Sequence, residues 1–390
     1  MASSSRRSRD PLKQPEEDDS SPGAARVLLL CILILVGISM TMLFSIGIGQ
    51  SRPLHYPVRQ FIYAVVAILG GVVSYNIPTI YWKKWMIYLV GSSVILLGMA
   101  RLVGREINNA HRWLSLGPVN FQPSELAKLS AILWVATWMS VYRRRSSEFG
   151  LGFVLPASGM GLLCLMVLMG PDFGTTMLIG GTGILLMYIG GTRVVYLGVS
   201  AFVALFGFWE LIRRDPERLS RITSFMHPEE FAANDSYQLM ASLHGFIEGG
   251  LFGKGIGESL QKNDYLPEAH TDFILAILGE ELGLVGTLLV LLLFVAIFIS
   301  GLMISLRCKD AFSRLVGLGI TITITLQAMI NVGVVTGSMP TKGLPLPFVS
   351  YGGSSLVFMT GMVGILLRIS RGSAGVRDNP PPLPESQQWI

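Results

Sequence analysis

From residue 27 to residue 370 the chain reads as long apolar runs separated by short polar breaks. A run of about 20 residues, folded as a helix, crosses the roughly 30 Å of a bilayer's hydrocarbon core. Run length and breaker residues predict about ten spans, near 27–48, 58–76, 80–99, 126–141, 152–170, 174–191, 194–212, 273–305, 315–336 and 353–370. The pattern is that of an all-α polytopic membrane protein. Residues 1–26 are polar and of mixed charge, the composition of a disordered tail. A Pro-rich tail, 372–390, follows the membrane domain of 27–371.

Most connections between spans are only a few residues long, but three on one side are not. Residues 100–125 join spans three and four, residues 213–272 join spans seven and eight, and residues 337–352 join spans nine and ten. Long connections in a compact fold are commonly functional, and these are rich in Trp, Tyr, Pro, Gly and paired charges. Within the second, Tyr237, Met240, Leu243, Ile247 and Leu251 recur at helical spacing. That predicts a short amphipathic helix on a membrane or protein surface, broken at Gly249-Gly250. No repeat of fixed period and no helix broken at mid-depth is visible.

Composition sharpens the class. Of 390 residues, 51% are apolar and 14% charged, and the mean hydropathy is +0.55; a soluble domain needs more charged surface than that. The net charge of +5 does not point to nucleic acid. Basic residues sit in short segments between spans, such as Arg143-Arg144-Arg145, Arg307 with Lys309, and Arg368 with Arg371, not on one face with interleaved aromatics. An even number of spans puts both termini on one side. If that side is cytoplasmic, 17 of the 30 Lys and Arg lie inside and 16 of the 25 acids outside, the bias that orients membrane proteins. The long connection 213–272 is then extracytoplasmic. Cys31, Cys164 and Cys308 are too few and scattered for a disulfide framework and read as free thiols. The first run is too long for a signal-peptide core and reads as an uncleaved span.

Candidate chemistry gathers in the long connections. His270-Thr271-Asp272-Phe273 opens span eight and Glu280-Glu281 follows. The stretch from Asp272 to Leu306 holds 35 residues, about 52 Å as a helix, so its first turns must protrude or pack inside protein. Asp272 and Glu280 would share a helix face, with Glu281 turned by about 100°. An Asp in this position is most often an N-cap. The other reading is a partly desolvated carboxylate at the membrane–water boundary, suited to general-base work. Pro340, Pro345 and Pro347 rule out a helix before Ser350-Tyr351-Gly352-Gly353-Ser354-Ser355, which starts span ten. Such a stretch offers backbone N–H groups to an anion, with Lys342, Ser350 and Ser354 at hand; a tight loop with ordinary capping would read the same. Glu125 and Lys128, three apart at the start of span four, either simply pair or line a polar site. Arg218 and Arg221 would share a helical face and clamp a pyrophosphate, or else belong to a solvated charge face. Gly253-Lys254-Gly255-Ile256-Gly257 lacks the spacing of a nucleotide loop, and the five histidines show no metal-ligand spacing.

Four segments together resemble one family: NNAHRWLSLGPVNFQPSELAKL, GPDFGTT at 170–176, GGLFGKGIGESLQKNDYLPEAHTDFILAILGEELGLVG, and QAMINVGVVTGSMPTKGLPLPFVSYGGSSL. They are similar to the SEDS (shape, elongation, division, sporulation) proteins, over about residues 27–370 and in order along the chain. The YLPEAHTDF form and the polar N-terminal tail look closer to the division branch than to the elongation branch. One departure is Gly170, where many relatives carry Gln.

The resemblance implies a ten-span SEDS fold and a glycosyltransferase. Its substrate would be lipid II, an undecaprenyl-pyrophosphate-linked disaccharide-peptide, polymerised into β-1,4 glycan strands of peptidoglycan. The place would be the outer face of the bacterial inner (cytoplasmic) membrane at the division septum. Asp272, in the HTDF motif, is implied as the key aspartate. The implied partners are a class B penicillin-binding protein transpeptidase and other divisome proteins. Glu125, Lys128, Arg218, Arg221, Lys342, Ser350 and Ser354 then become candidates for substrate and pyrophosphate binding. No cage of carboxylates for a tightly held metal is visible, so Mg²⁺ or Mn²⁺ would arrive with the substrate. Two readings from other classes stay open at this point: a lipid II flippase, and a non-enzymatic divisome scaffold.

Overall fold

The computed structural model describes residues 21–372 except 49–52, 108–109, 117–118, 216–218, 221–222, 224, 227–236, 262–269 and 341–342. Arg218, Arg221, Lys342 and most of both expected tails lie outside the described residues. The expected N-terminal tail is shorter than the charge pattern suggested, because α1 (Pro22–Ile48) begins at Pro22, a residue suited to the first helical turn. There follow α2 (His55–Asn76), α3 (Thr79–Val103), α4 (Pro123–Val141), α5 (Leu155–Met169, entered through a π-helical turn at Gly150–Val154), α6 (Phe173–Gly190) and α7 (Val194–Arg213). After them come α8 (Tyr237–Gly249), α9 (Ile274–Arg307), α10 (Ala311–Val335) and α11 (Gly353–Ser370).

The connection between α3 and α4 is folded in a way the apolar pattern did not assign. It forms an antiparallel three-stranded meander of β1 (Arg105–Ile107), β2 (Ala110–Leu116) and β3 (Val119–Phe121), in the order β1-β2-β3. The signal was present in the turn pairs Asn108-Asn109 and Gly117-Pro118 between short runs, but each run is too short to stand out.

Among the described residues, nine helices are long and apolar enough to cross a bilayer. The predicted fourth span, α4, falls short only in composition, since it carries Glu125 and Lys128; its 19 residues make about 28 Å. A backbone hydrogen bond decides its status. The Ser21 N–H donates to the Ser370 carbonyl at 2.7 Å, so the start of α1 and the end of α11 meet on one side of the bundle. That requires an even number of crossings, and α4 is the tenth. It can afford its charges because 14 of its residues are buried among other helices and away from lipid. At the opposite extreme is α7, where only Leu197 is buried and Phe202, Val203, Leu205 and Phe206 are exposed. An apolar surface of that extent belongs in hydrocarbon.

The two ends of the bundle differ chemically. At the end where α1 starts, Arg371 lies over the Tyr75 ring and Lys83 over Phe312, and the Arg143-Arg144-Arg145 turn follows α4. The other end carries the sheet, α8 and the starts of α4, α6, α9 and α11.

The predicted amphipathic helix of the large connection is α8, and Gly250 ends it at φ 53. Of the predicted apolar positions, Ile247 and Leu251 are exposed, as a membrane-surface helix would leave them, and the protein contact is made by another face. Leu239, Ser242, Gly245 and Gly249 are buried, whereas Ile247 is 75% exposed. Small residues win that face because α9 passes very close: a Cβ on Gly249 would fall 2.1 Å from the Gly279 carbonyl oxygen.

The excess length of α9 is resolved by a break. Gly283 sits at φ 66, ψ −164, and residues Ile274–Glu281 before it are all buried. Residues 284–307 beyond it still make about 36 Å, enough to cross the bilayer alone, so the break lies at the site-bearing end and not at mid-depth. A break orphans backbone groups that lipid cannot satisfy. Here residues 250–255 supply the partners. The Lys254 and Gly255 N–H groups donate to the Glu280 and Glu281 carbonyls, at 3.0 Å each. The Leu284 and Val285 N–H groups donate to the Gly250 and Leu251 carbonyls, at 2.9 and 3.2 Å. The Gly-Lys-Gly run that superficially resembles a nucleotide loop is therefore a plug for a broken helix. A Cβ at Gly283 would meet Gly253 N at 2.4 Å, and its φ disfavours any side chain. Gly283→Ala is expected to lose on the order of 2 kcal/mol or more, read as a drop in thermal midpoint in detergent relative to Gly98→Ala in α3, whose added methyl would meet nothing within 4 Å.

Candidate active site

Asp272 stands just before α9. The cap position belongs to Phe273, so the capping reading of Asp272 is displaced by one residue. The expected pairing of faces does not form either, because Asp272 precedes the helix while Glu280 turns to the neighbouring connection. Glu280 is fully buried and accepts from the Leu260 and Gln261 N–H groups at 2.9 and 3.3 Å, from Lys254 Nζ at 3.1 Å and from the Ser259 hydroxyl. It thereby ties down the chain that runs on toward Asp272. Glu281, also buried, accepts from the Ser45 hydroxyl of α1. Lys254 in addition pairs with Glu248, and that hydrogen bond, helped by Glu280, holds its ammonium above the usual lysine range. The pairing is thus complete at neutral pH and is lost only as pH rises beyond that range.

Across from Asp272 runs the proline-rich stretch, non-helical as predicted. Its backbone is satisfied by side chains of α10 on one helical face. Gln327 Nε2 donates to the Pro345 carbonyl at 2.8 Å; Asn331 Nδ2, one turn on, donates to the Leu344 carbonyl and to the Asp272 carbonyl, both at 2.8 Å. Ser350 closes the stretch. Its hydroxyl accepts from the Leu346 N–H at 2.8 Å and donates to the Thr271 carbonyl at 2.5 Å, while the Tyr351 N–H donates to the His270 carbonyl at 2.9 Å. Buried Gln60 of α2 adds a bond to the Ser350 carbonyl at 3.3 Å. These contacts hold Phe348 at φ 63, a conformation that costs a non-glycine residue of order 1 kcal/mol and persists only when its surroundings over-determine it. Gly343 passes so close that a Cβ on it would lie 2.9 Å from Asp272 Oδ2.

Other predicted residues take up supporting places. Lys128 is buried and bonds Glu125 at 2.8 Å and Gln327 Oε1 at 2.9 Å, which links α4 through Gln327 to the Pro345 carbonyl. Its ammonium is engaged inside the bundle. Ser354 accepts from the Gln122 N–H at 3.2 Å and donates to the Asn120 carbonyl at 2.8 Å, fastening the sheet to α11. The Ser350 and Ser354 hydroxyls thus each bridge two backbone groups. Asp172 caps α6 through the Thr175 N–H at 3.0 Å. Arg112 of β2 donates to the Gly170 and Pro171 carbonyls at 2.9 and 2.5 Å; residue 170 takes part through its backbone, which is indifferent to the Gly that stands there. Among the described residues no group of three or more His, Cys, Asp or Glu could hold a metal ion.

Gln327, Asn331 and Gln60 were not singled out in the sequence. The available signal was the pair of carboxamides four residues apart in an otherwise apolar span, since polar groups at that depth need a reason.

Fold and site define a polytopic helical membrane protein with polar clusters gathered, among the described residues, toward the end of the bundle opposite its basic turn. A profile of the FtsW/RodA/SpoVE family, described as cell cycle protein, matches residues 24–374, and the chain belongs to that family. A probable peptidoglycan glycosyltransferase FtsW of Allochromatium vinosum is 38% identical over 353 residues, covering 88% of each chain. The stage V sporulation protein E of Bacillus subtilis is 36% identical over 360 residues, covering 91% of this chain and 98% of its own. Among solved structures, a chain of a peptidoglycan synthase complex, described for its structural coordination of polymerization and crosslinking, aligns with a TM-score of 0.73. Its identity is 25%, over 88% of this chain and 96% of that one. The Rod shape determining protein RodA of Thermus thermophilus aligns with a TM-score of 0.67 at 25% identity, over 88% and 95%.

Removing the Asn331 carboxamide leaves two carbonyls without this donor. Asn331→Leu is expected to cost on the order of 2–5 kcal/mol and to speed hydrogen exchange at the Leu346 N–H, both measurable on the purified protein.

Proposed function

We infer that the chain is a peptidoglycan glycosyltransferase that polymerises lipid II into β-1,4 glycan strands at the outer face of the bacterial cytoplasmic membrane during septal wall synthesis. The observation that carries this reading is the placement of Asp272. Its carboxylate lies beside Gly343 and its backbone is fixed by Asn331, at the bundle end opposite the Arg143-Arg144-Arg145 turn. Basic segments stay cytoplasmic, which puts the start of α1 and the end of α11 inside and Asp272 outside. Relatives named as FtsW support a role in division.

In this reading Asp272 takes the proton from the 4-hydroxyl of the acceptor N-acetylglucosamine. The oxygen attacks the anomeric carbon of the donor's N-acetylmuramic acid, the bond to phosphate breaks, and undecaprenyl pyrophosphate leaves with inversion. A pyrophosphate departs without needing an acid to protonate it, so one positioned carboxylate suffices; what remains to be offset is developing negative charge. Arg218, Arg221 and Lys342 are the candidates for that task, with a Mg²⁺ or Mn²⁺ ion brought in on the phosphates. Lys128, Glu125, Ser350 and Ser354 act by holding the scaffold. A class B penicillin-binding protein is the expected partner for cross-linking, a reading supported by the likeness to a chain of a peptidoglycan synthase complex.

The test is gel-resolved glycan strands from purified protein, partner and lipid II. Asp272→Asn is expected to lower strand synthesis at least about 100-fold, the lower end of what a general base contributes; strands at the wild-type rate would overturn the assignment. Gly343→Ala, which forces the carboxylate to shift, is expected to cost about tenfold or more in the same assay. A chelator is expected to slow synthesis, with recovery on adding Mg²⁺ or Mn²⁺. Lipid translocation without strands would make the protein a flippase, and neither activity would make it a scaffold.

A further inference from the structure

Beside Asp272 lie three rings that no part of the mechanism above uses. Tyr56 comes from the first turn of α2, His270 precedes Asp272 by two residues, and Tyr351 leads into α11. Tyr56 and His270 lie nearly face to face, with centroids 4.6 Å apart and planes tilted by 33°. Tyr351 stands edge-on to Tyr56 at 5.2 Å and 80°, and lies 5.7 Å from His270. All three are half-buried. They are thus neither sealed in the core, as Leu344, Leu346 and Phe348 beside them are, nor spread on the lipid-facing surface.

Their mounting is the same backbone that fixes Asp272. The Tyr351 N–H donates to the His270 carbonyl at 2.9 Å and the Ser350 hydroxyl to the Thr271 carbonyl at 2.5 Å, so the backbone that carries two of the rings is tied to the backbone that carries Asp272. Burial, and after it the neighbouring Tyr63, raises the Tyr351 hydroxyl above the usual tyrosine range against the opposing pull of the Arg59 guanidinium; it therefore stays neutral. Arg59 itself is exposed. The arrangement is an aromatic cluster with the Arg59 cation next to Tyr351 and the Asp272 carboxylate two residues along the chain from His270.

A pyranose ring fits that chemistry. Its axial C–H groups make one face apolar while the hydroxyls point outward in the ring plane. An aromatic face accepts the first without desolvating the second, and nearby polar groups fix the orientation. We propose that Tyr56, His270 and Tyr351 form a stacking platform for an N-acetylhexosamine ring at the acceptor position, orienting its hydroxyl toward Asp272. The proposal rests on the glycosyltransferase reading, and it makes Tyr56 a binding residue chosen for its ring face.

Two measurements decide it. In strand synthesis with purified protein, partner and lipid II, Tyr56→Leu keeps apolar bulk but removes the ring. It is expected to raise the apparent KM roughly 2- to 12-fold, the range for one aromatic contact, while Tyr56→Phe restores most of the affinity. A fall in kcat and thermal midpoint with KM unchanged, or an equal KM rise in Tyr56→Phe, would overturn the platform. Independently, saturation-transfer NMR with chitotriose is expected to show ring protons receiving magnetisation from the wild type and losing it in Tyr56→Leu. Equal transfer in both, or none in the wild type, would overturn it as well. The NMR experiment needs no turnover, so a wild type that makes no strands would sink the enzymatic reading while leaving sugar stacking still decided.

Discussion

Two carbonyl groups, those of Asp272 and Leu344, converge on the carboxamide of Asn331, and much of the site follows from that contact. Inside a membrane protein, backbone that leaves the helix cannot turn to water, and lipid offers no partner. Each such stretch must be paid for by protein groups placed to meet it. The loop 343–350 is met by Gln327 and Asn331 of α10, by Gln60 of α2 and by Ser350; the break at Gly283 is met by residues 250–255. The first of these stretches lies against Asp272, and the bonds that satisfy its backbone also tie down the backbone of residues 270–272.

Buried charge is handled by the same logic. Glu125, Lys128, Glu280 and Glu281 are each under 4% exposed, and removing such groups from water costs several kcal/mol apiece unless partners are supplied. Lys128 receives a carboxylate and a carboxamide, and Glu280 receives two backbone N–H groups, a hydroxyl and an ammonium. The first of these clusters joins α4 to α10 across about two hundred residues, and the second folds the α8–α9 connection back onto the first turns of α9. Ionic groups here act as rivets within the bundle, while Asp272 is left half-buried at the bundle end.

Much of the architecture was legible in the residue order. Ten spans, the short helix of the large connection, the non-helical proline stretch and the excess length of α9 all follow from run length, breakers and period. The sheet of 105–121 escaped because three-residue strands carry too little periodicity to register. The protein-contact face of α8 was not legible, because hydrophobicity marks Ile247 while close approach to α9 selects Gly245 and Gly249. The Gly253–Gly257 run had no visible purpose until its partner, the break at Gly283, was seen in space.

Membrane class, even topology and the chemical difference between the two bundle ends were determined by the sequence alone, since each depends on local composition. Which carboxamide holds which carbonyl, that Lys128 is spent on Glu125 and Gln327, and that Tyr56 meets His270 across more than two hundred residues were decided only by the tertiary structure. The reason is physical. Hydrophobic burial reads one residue at a time, whereas hydrogen-bond satisfaction is a relation between groups whose separation in sequence sets no limit on their distance in the fold.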